Sequence, residues 1–188
     1  MACTVFADRG FHATSMDDIA AAAGVTKPVL YQHFPSKRAL FVALLGELGG
    51  RLLAELESAT SAAHTGRERV EAGFASYFRF ASQNEAAFRV LFGASARNDS
   101  DFADVIERLL DEVASAVSLL IDIEGTVEQR RVLAHALIGI AEATSRDTLT
   151  DDGTDLDGEQ LARWVSELAW FGLRGIRVEE PASRGAPR

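Results

Sequence analysis

The amino-acid sequence predicts an all-α protein, an N-terminal three-helix helix-turn-helix unit on a C-terminal helical bundle, with about nine helices in total. Three observations carry this prediction. Apolar residues recur at helical spacing along nearly the whole chain, and no stretch alternates apolar and polar residues as a half-buried strand would. Proline occurs at positions 28, 35, 181 and 187 alone, so little interrupts long helices. Near the start, a glycine turn in "AAAAGVTKPVLYQHF" separates two short helical segments, the pattern of a helix-turn-helix.

The first helix begins at or before the N-terminus and stops near Arg9-Gly10, with Gly10 as its C-terminal cap. Ser15, with Asp18 three residues on, opens a second helix over Met16–Ala23 in a capping-box-like pattern, an acid standing where Glu or Gln is usual. Gly24 ends that helix by taking the left-handed conformation a tight turn needs. Thr26 caps a third helix running through Phe34, with Pro28 tolerated in its first turn. Ile19, Val25, Leu30 and Phe34 are its expected core, and Ala20 lets the two helices approach.

Ser36 caps a fourth helix to about Ala63, with Phe41, Leu44, Leu45, Leu48, Leu52 and Leu56 on one stripe. Gly46, Gly49 and Gly50 interrupt it, each costing roughly 1 kcal/mol against Ala; they mark either a bend or a close helix crossing. Further helices are expected at about residues 67–83, 85–92, 101–123, 127–148 and 158–176. "TDDGTDLDG" (Thr150–Gly158) reads as an acidic loop. The expected division is residues 1–45 for the helix-turn-helix domain, 46–178 for the body and 179–188 for a disordered tail.

Composition narrows the function. The 188 residues are 47% hydrophobic and 25% charged, which describes a globular protein able to bury a core. The single cysteine, Cys3, offers no disulfide framework and is expected to pack on the first helix, so a cytoplasmic setting is expected. "MACTVFADRG" has neither a basic start nor a long apolar run, and "VASAVSLLI" is too short to span a bilayer, so no membrane partner is expected. His12, His64 and His135 are isolated, so no metal is expected, and no phosphate loop, HExxH or nucleophile elbow suggests catalysis or a cofactor. The formal charge is −9, yet residues 1–50 are neutral, with four cations against four acids; all the excess acid lies further on. That asymmetry permits a polyanion-binding end on an acidic body.

The helix-turn-helix supplies the chemistry. Its second helix enters the major groove with its N-terminal residues facing base edges. Lys27 can donate to guanine, and Pro28 and Val29 can pack on a thymine methyl. Thr26, Tyr31, His33 and Lys37 carry donors suited to phosphate oxygens. Both lysines of the chain, Lys27 and Lys37, fall in this stretch. "TSMDDIAAAAGVTKPVLYQHFPSKRALFVALL" resembles the DNA-binding segment of TetR-family transcriptional regulators. It has Gly10-Phe11 after helix one, Thr14 before helix two, Ile19-Ala20, Ala-Gly-Val before the turn, Leu-Tyr-x-His-Phe, and Lys37 with Leu40. The match covers about residues 5–45; the rest agrees in architecture alone.

The resemblance implies base or groove contacts from Lys27, Pro28, Val29 and Tyr31, and phosphate contacts from Thr26, Tyr31, His33 and Lys37, with Thr14 and Ser15 at the start of helix two also placed at the DNA. It further implies a basic arm ahead of the first helix. This chain opens almost inside that helix: either its start is truncated or its operator affinity relies on fewer charges, and weaker electrostatic binding is expected. An unknown small-molecule effector is expected in the body, where the aromatics Phe74, Tyr77, Phe78, Phe88 and Phe92 either line a pocket or serve as plain core, with Gln83, Asn84 or Arg89 orienting the ligand. The last two helices are apolar on several faces. Leu133, Leu137, Leu161, Trp164, Val165 and Leu168 are the expected faces of a homodimer. The function expected is a repressor released from a pseudo-palindromic DNA operator by its effector. The alternatives are an activator, or a helical ligand-binding protein with a weakened DNA-binding unit.

Overall fold

The computed structural model describes residues 1–92, 102–150 and 157–175. Every element among them is a helix: α1 (Ala2–Ala13), α2 (Met16–Ala23), α3 (Lys27–His33), α4 (Lys37–Ser61), α5 (Gly66–Gln83), α6 (Glu85–Phe92), α7 (Ala103–Leu120), α8 (Val127–Thr150) and α9 (Gly158–Arg174). None is long and apolar enough to cross a membrane. Asp101, Ile176, residues 151–156 and the tail from 179 onward lie outside the described residues.

Local chemistry sets the helix starts. The Ser15 hydroxyl accepts from Asp18 N, and the Asp18 carboxylate accepts from Ser15 N, so the reciprocal box forms with Asp in place of Glu. Those hydrogen bonds from Ser15, with Arg9 nearby, hold the Asp18 carboxyl below the usual carboxylate range. Thr65 and Glu68 repeat the device at α5, and Ser36 and Asp157 cap α4 and α9. Gly24 closes α2 at φ 68°, and Gly10 breaks α1 at φ 74°, both glycine conformations. One further turn, Phe11–Ala13, follows that break. It brings the Phe11 ring to Phe6, Phe41 and Phe102.

Among the described residues, three apolar clusters form the core. The first joins α1–α4 to α6 and the start of α7; Cys3 packs against it, and burial pushes its thiol up. The second lies between α5, α8 and α9, and the third between α7, α8 and the end of α9. Val25 does not join the helix-turn-helix core as the sequence suggested, being 39% exposed beyond the glycine turn; Ile19 and Leu30 fill it instead. Of the three glycines in α4, Gly49 alone makes a close crossing: a Cβ there would collide with the Leu109 side chain of α7, whereas Gly46 and Gly50 face open space. α4 runs unbroken from the first cluster into the body, so the two units share one helix.

Candidate nucleic-acid interface and effector cavity

Leu30 anchors α3 in the core at 7% exposure, and the rest of the helix stands free of it. Lys27, Pro28, Val29, Tyr31 and His33 are all exposed, together with Thr26, whose hydroxyl makes no capping bond. Pro28, Val29 and Tyr31 point away from the Leu30 side of the helix, while Lys27 and His33, three residues to either side of Leu30, flank that side and are exposed all the same. Lys27 Nζ donates to Asp17 Oδ2 of α2 at 2.8 Å, and that bond raises its ammonium above the ordinary lysine value. The cation that the sequence places at base edges is therefore held by an acid of the preceding helix.

Three of the expected DNA residues are placed differently. Lys37 Nζ donates to Phe11 O and Thr14 O at 2.7 Å each and to His12 O at 3.3 Å, and sits 4.4 Å from the Phe11 ring centroid. An ammonium has three protons, and all three have carbonyl acceptors at the end of α1. Thr14 is 2% exposed, its hydroxyl donating to Gly10 O, so its side chain secures the α1–α2 corner from inside. The Ser15 hydroxyl donates to Asp18 and accepts from its amide, which commits it to the cap. Sequence spacing identified these positions; it does not reveal that the backbone folds over two of them.

The body encloses a cavity of about 160 Å³ between α4, α5, α7, α8 and α9. Of the aromatics expected at an effector site, Phe74 and Tyr77 line it. Phe78 and Phe88, 2% and 4% exposed, belong to the packed clusters instead, and the Phe92 side chain lies outside the described residues. Two of the three expected orienting groups are engaged elsewhere: Arg89 donates to Ala7 O and pairs with Asp8, and Asn84 accepts from Arg51. The wall that sequence reasoning missed comes from α7, whose Leu109, Val113 and Val117 face inward, and from Arg69, Asp122, Trp170 and Arg174. The i, i+4, i+8 spacing of the α7 residues was the available signal.

Residues 1–44 match the model of bacterial regulatory proteins of the tetR family, and residues 67–172 match the tetracyclin repressor-like C-terminal domain. The chain is 32% identical over 177 residues to the HTH-type transcriptional activator FasR of Mycolicibacterium smegmatis, covering 93% of this chain and 80% of that one. The chain belongs to the tetR family. It is a ligand-responsive, DNA-binding transcriptional regulator. The HTH-type transcriptional repressor KstR2 of the same organism is 29% identical over 188 residues, covering 97% of this chain and 79% of that one. Among solved structures, a TetR-like transcriptional regulator from Rhodococcus sp. RHA1 superposes with a TM-score of 0.75 at 31% identity, covering 93% and 92% of the two chains.

In this tetR-family chain the expected dimer residues divide by face. α9 packs chiefly on α5, which buries Leu161 and Val165. Leu133 is half-buried, and Leu137 lines the cavity. Trp164 and Leu168 point outward at 52% and 64% exposure, and Phe171, which the expected set lacks, joins them at 64%. On α8, Val132, Ala136, Gly139 and Ala143 are exposed along one side of the helix.

Proposed function

We propose that the protein acts in the cytoplasm as a homodimeric repressor whose two α3 helices read a pseudo-palindromic operator. Thr26, Tyr31 and His33 contact phosphates, while Lys27, Pro28 and Val29 meet base edges. Lys37, Thr14 and Ser15 serve by holding the head in shape. The boundary at residues 45/46 separates reading head from body in function, although α4 spans it. Trp164, Leu168 and Phe171 pack against the small-residue row of α8 in a second copy, large against small, as a four-helix bundle requires. Such a dimer sets the reading helices about 34–36 Å apart, or a multiple of that.

The observation that carries the reading is α4 itself. Its Leu40 and Phe41 lie in the core of the head, and its Leu52 and Leu56 line the cavity. A rigid helix links the two sites over eleven residues, roughly 16 Å. α7 makes a second link: Phe102 at its start is fully buried, 4.5 Å from the Phe11 ring and 4.6 Å from that of Phe41. An effector that fills the cavity acts on both helices and changes the spacing of the heads. About 1.4 kcal/mol of such coupling changes DNA affinity tenfold.

The test compares Lys27→Ala with Tyr31→Ala on duplexes carrying single base changes. The reading expects Lys27→Ala to relax preference at one position and Tyr31→Ala to weaken every duplex alike; unchanged affinity in both defeats it. An activator is the second reading, favoured by the resemblance to FasR. Reporter expression in a deletion strain separates them, rising for a repressor and falling for an activator.

A further inference from the structure

The cavity has two unlike ends. Leu52 and Leu56 of α4, with Leu109 of α7, close one end with hydrocarbon. At the other end stand Arg69 of α5, Asp122 just after α7, and Arg174 and Trp170 of α9. Arg69 Nη1 lies 3.7 Å from Asp122 Oδ2, and the Arg174 guanidinium lies 5.9 Å from the Trp170 ring centroid. Trp170 and Asp122 both flank Gly66, 3.4 and 3.5 Å from where its Cβ would stand, so these groups meet at one place. Between the ends, α5 presents one continuous face from Gly66 to Tyr77, eleven residues or about 16 Å. Beyond Arg69 that wall is hydrocarbon and aromatic ring, with the Tyr77 hydroxyl as its polar atom.

Among the described residues, two guanidiniums and one carboxylate leave the polar end with one net positive charge. Asp122 is the outer member of its pair, 71% exposed against 29% for Arg69. The guanidinium fork matches a carboxylate in two parallel hydrogen bonds, so an incoming carboxylate can take the place Asp122 holds. The apolar wall penalises a polar ligand body, which would lose water without replacement. A polyphosphate head fits poorly, because Asp122 adds a like charge and one net positive charge cannot balance it.

We propose that this cavity takes a single-chain amphiphile: a hydrocarbon chain laid along α5 and one carboxylate held by Arg69 and Arg174. The proposal rests on reading the cavity as the effector site, and names the class of effector. The far end of the chain meets Leu52 and Leu56, the residues of α4 that face the cavity, so chain length is read directly by the helix that enters the DNA-binding head.

The experiment titrates the full chain, without DNA, with straight-chain alkyl carboxylates of increasing length below their micelle-forming concentrations. Matched primary alcohols and alkyltrimethylammonium ions serve as comparisons, and heat is the readout. The carboxylate binds once per subunit and tightens with length; the alcohol binds at least about tenfold more weakly, and the cation does not bind. Arg69→Met weakens the carboxylate by about tenfold and leaves the alcohol unchanged. Asp122→Asn tightens the carboxylate, a gain that a misfolded variant cannot produce. Equal binding of carboxylate and alcohol, or an identical response of both variants to the carboxylate, overturns the proposal. A second arm adds the carboxylate to the protein–duplex complex. Carboxylate binding with unchanged DNA affinity upholds the ligand class and refutes the effector reading; no carboxylate binding refutes the ligand class and leaves that reading standing.

Discussion

Replacing Lys37 with Met separates a structural lysine from a DNA-contacting one. The ammonium holds Phe11 O, His12 O and Thr14 O and lies over the Phe11 ring. A hydrogen bond to a charged group contributes about 1.5–3 kcal/mol, and a cation over a ring about 0.5–1 kcal/mol at an exposed site. The site is half-buried, so water reaches part of it and replaces some of these bonds. The carbonyls of Phe11 and Thr14, in part-buried surroundings, lose the most. The net cost is about 2–4 kcal/mol, and at roughly 2–4 °C per kcal/mol for a chain of this size the melting temperature falls by about 5–15 °C. Circular dichroism melting at fixed protein concentration measures it, with duplex binding followed at a temperature where both forms are folded. An unchanged melting temperature with lost DNA affinity would mean that Lys37 is a phosphate ligand and that the cap argument is wrong.

Four further outcomes follow from the geometry. Asp17→Asn releases Lys27 from its partner and raises affinity for nonspecific duplex at low salt by a few-fold, measured by fluorescence anisotropy; a fall in affinity contradicts the pairing. Gly49→Val destabilises by about 1–3 kcal/mol because the side chain meets Leu109, whereas Gly46→Ala and Gly50→Ala stabilise by up to about 1 kcal/mol, all three read by urea unfolding. Trp164→Glu places a charge in the exposed apolar stripe and yields a folded monomer in sedimentation velocity; a persistent dimer puts the interface elsewhere. Asp18 titrates below the ordinary carboxylate range, so its contribution is full above the unfolded-state value and is lost as pH falls through the lower folded one. Asp18→Asn accordingly flattens the acid limb of a melting-temperature profile; an identical limb shows the box contributes nothing.

The helices were legible because their punctuation is local. Ser15 with Asp18, Gly24, and Ser36 each act within four residues, and periodic apolar residues sustain what lies between. The position of the break in α1 could likewise be read from Gly10, but not the turn that continues past it, because that turn is held by Phe41, Phe102 and Lys37 from distant parts of the chain. The same reason explains Lys37 and Thr14. Their spacing marks them as important, while burial and carbonyl acceptors decide their role. Aromatic clustering does not separate Phe74 and Tyr77, which line the cavity, from Phe78 and Phe88, which pack in the clusters, since periodicity gives a face of a helix and not what stands opposite. The polar end of the cavity was not legible: Arg69, Asp122 and Arg174 lie far apart in sequence and meet through the packing of α5, α7 and α9.

If the protein works as proposed, α3 reads a specific duplex as part of a dimer. The most direct test is binding of the purified protein to the DNA immediately upstream of its own gene, against a scrambled duplex of equal length, across a salt series. Saturable binding is expected, with two subunits per site, affinity that falls steeply as salt rises, and a clear preference over the scrambled sequence. Equal affinity for both duplexes, or affinity indifferent to salt, contradicts the proposal.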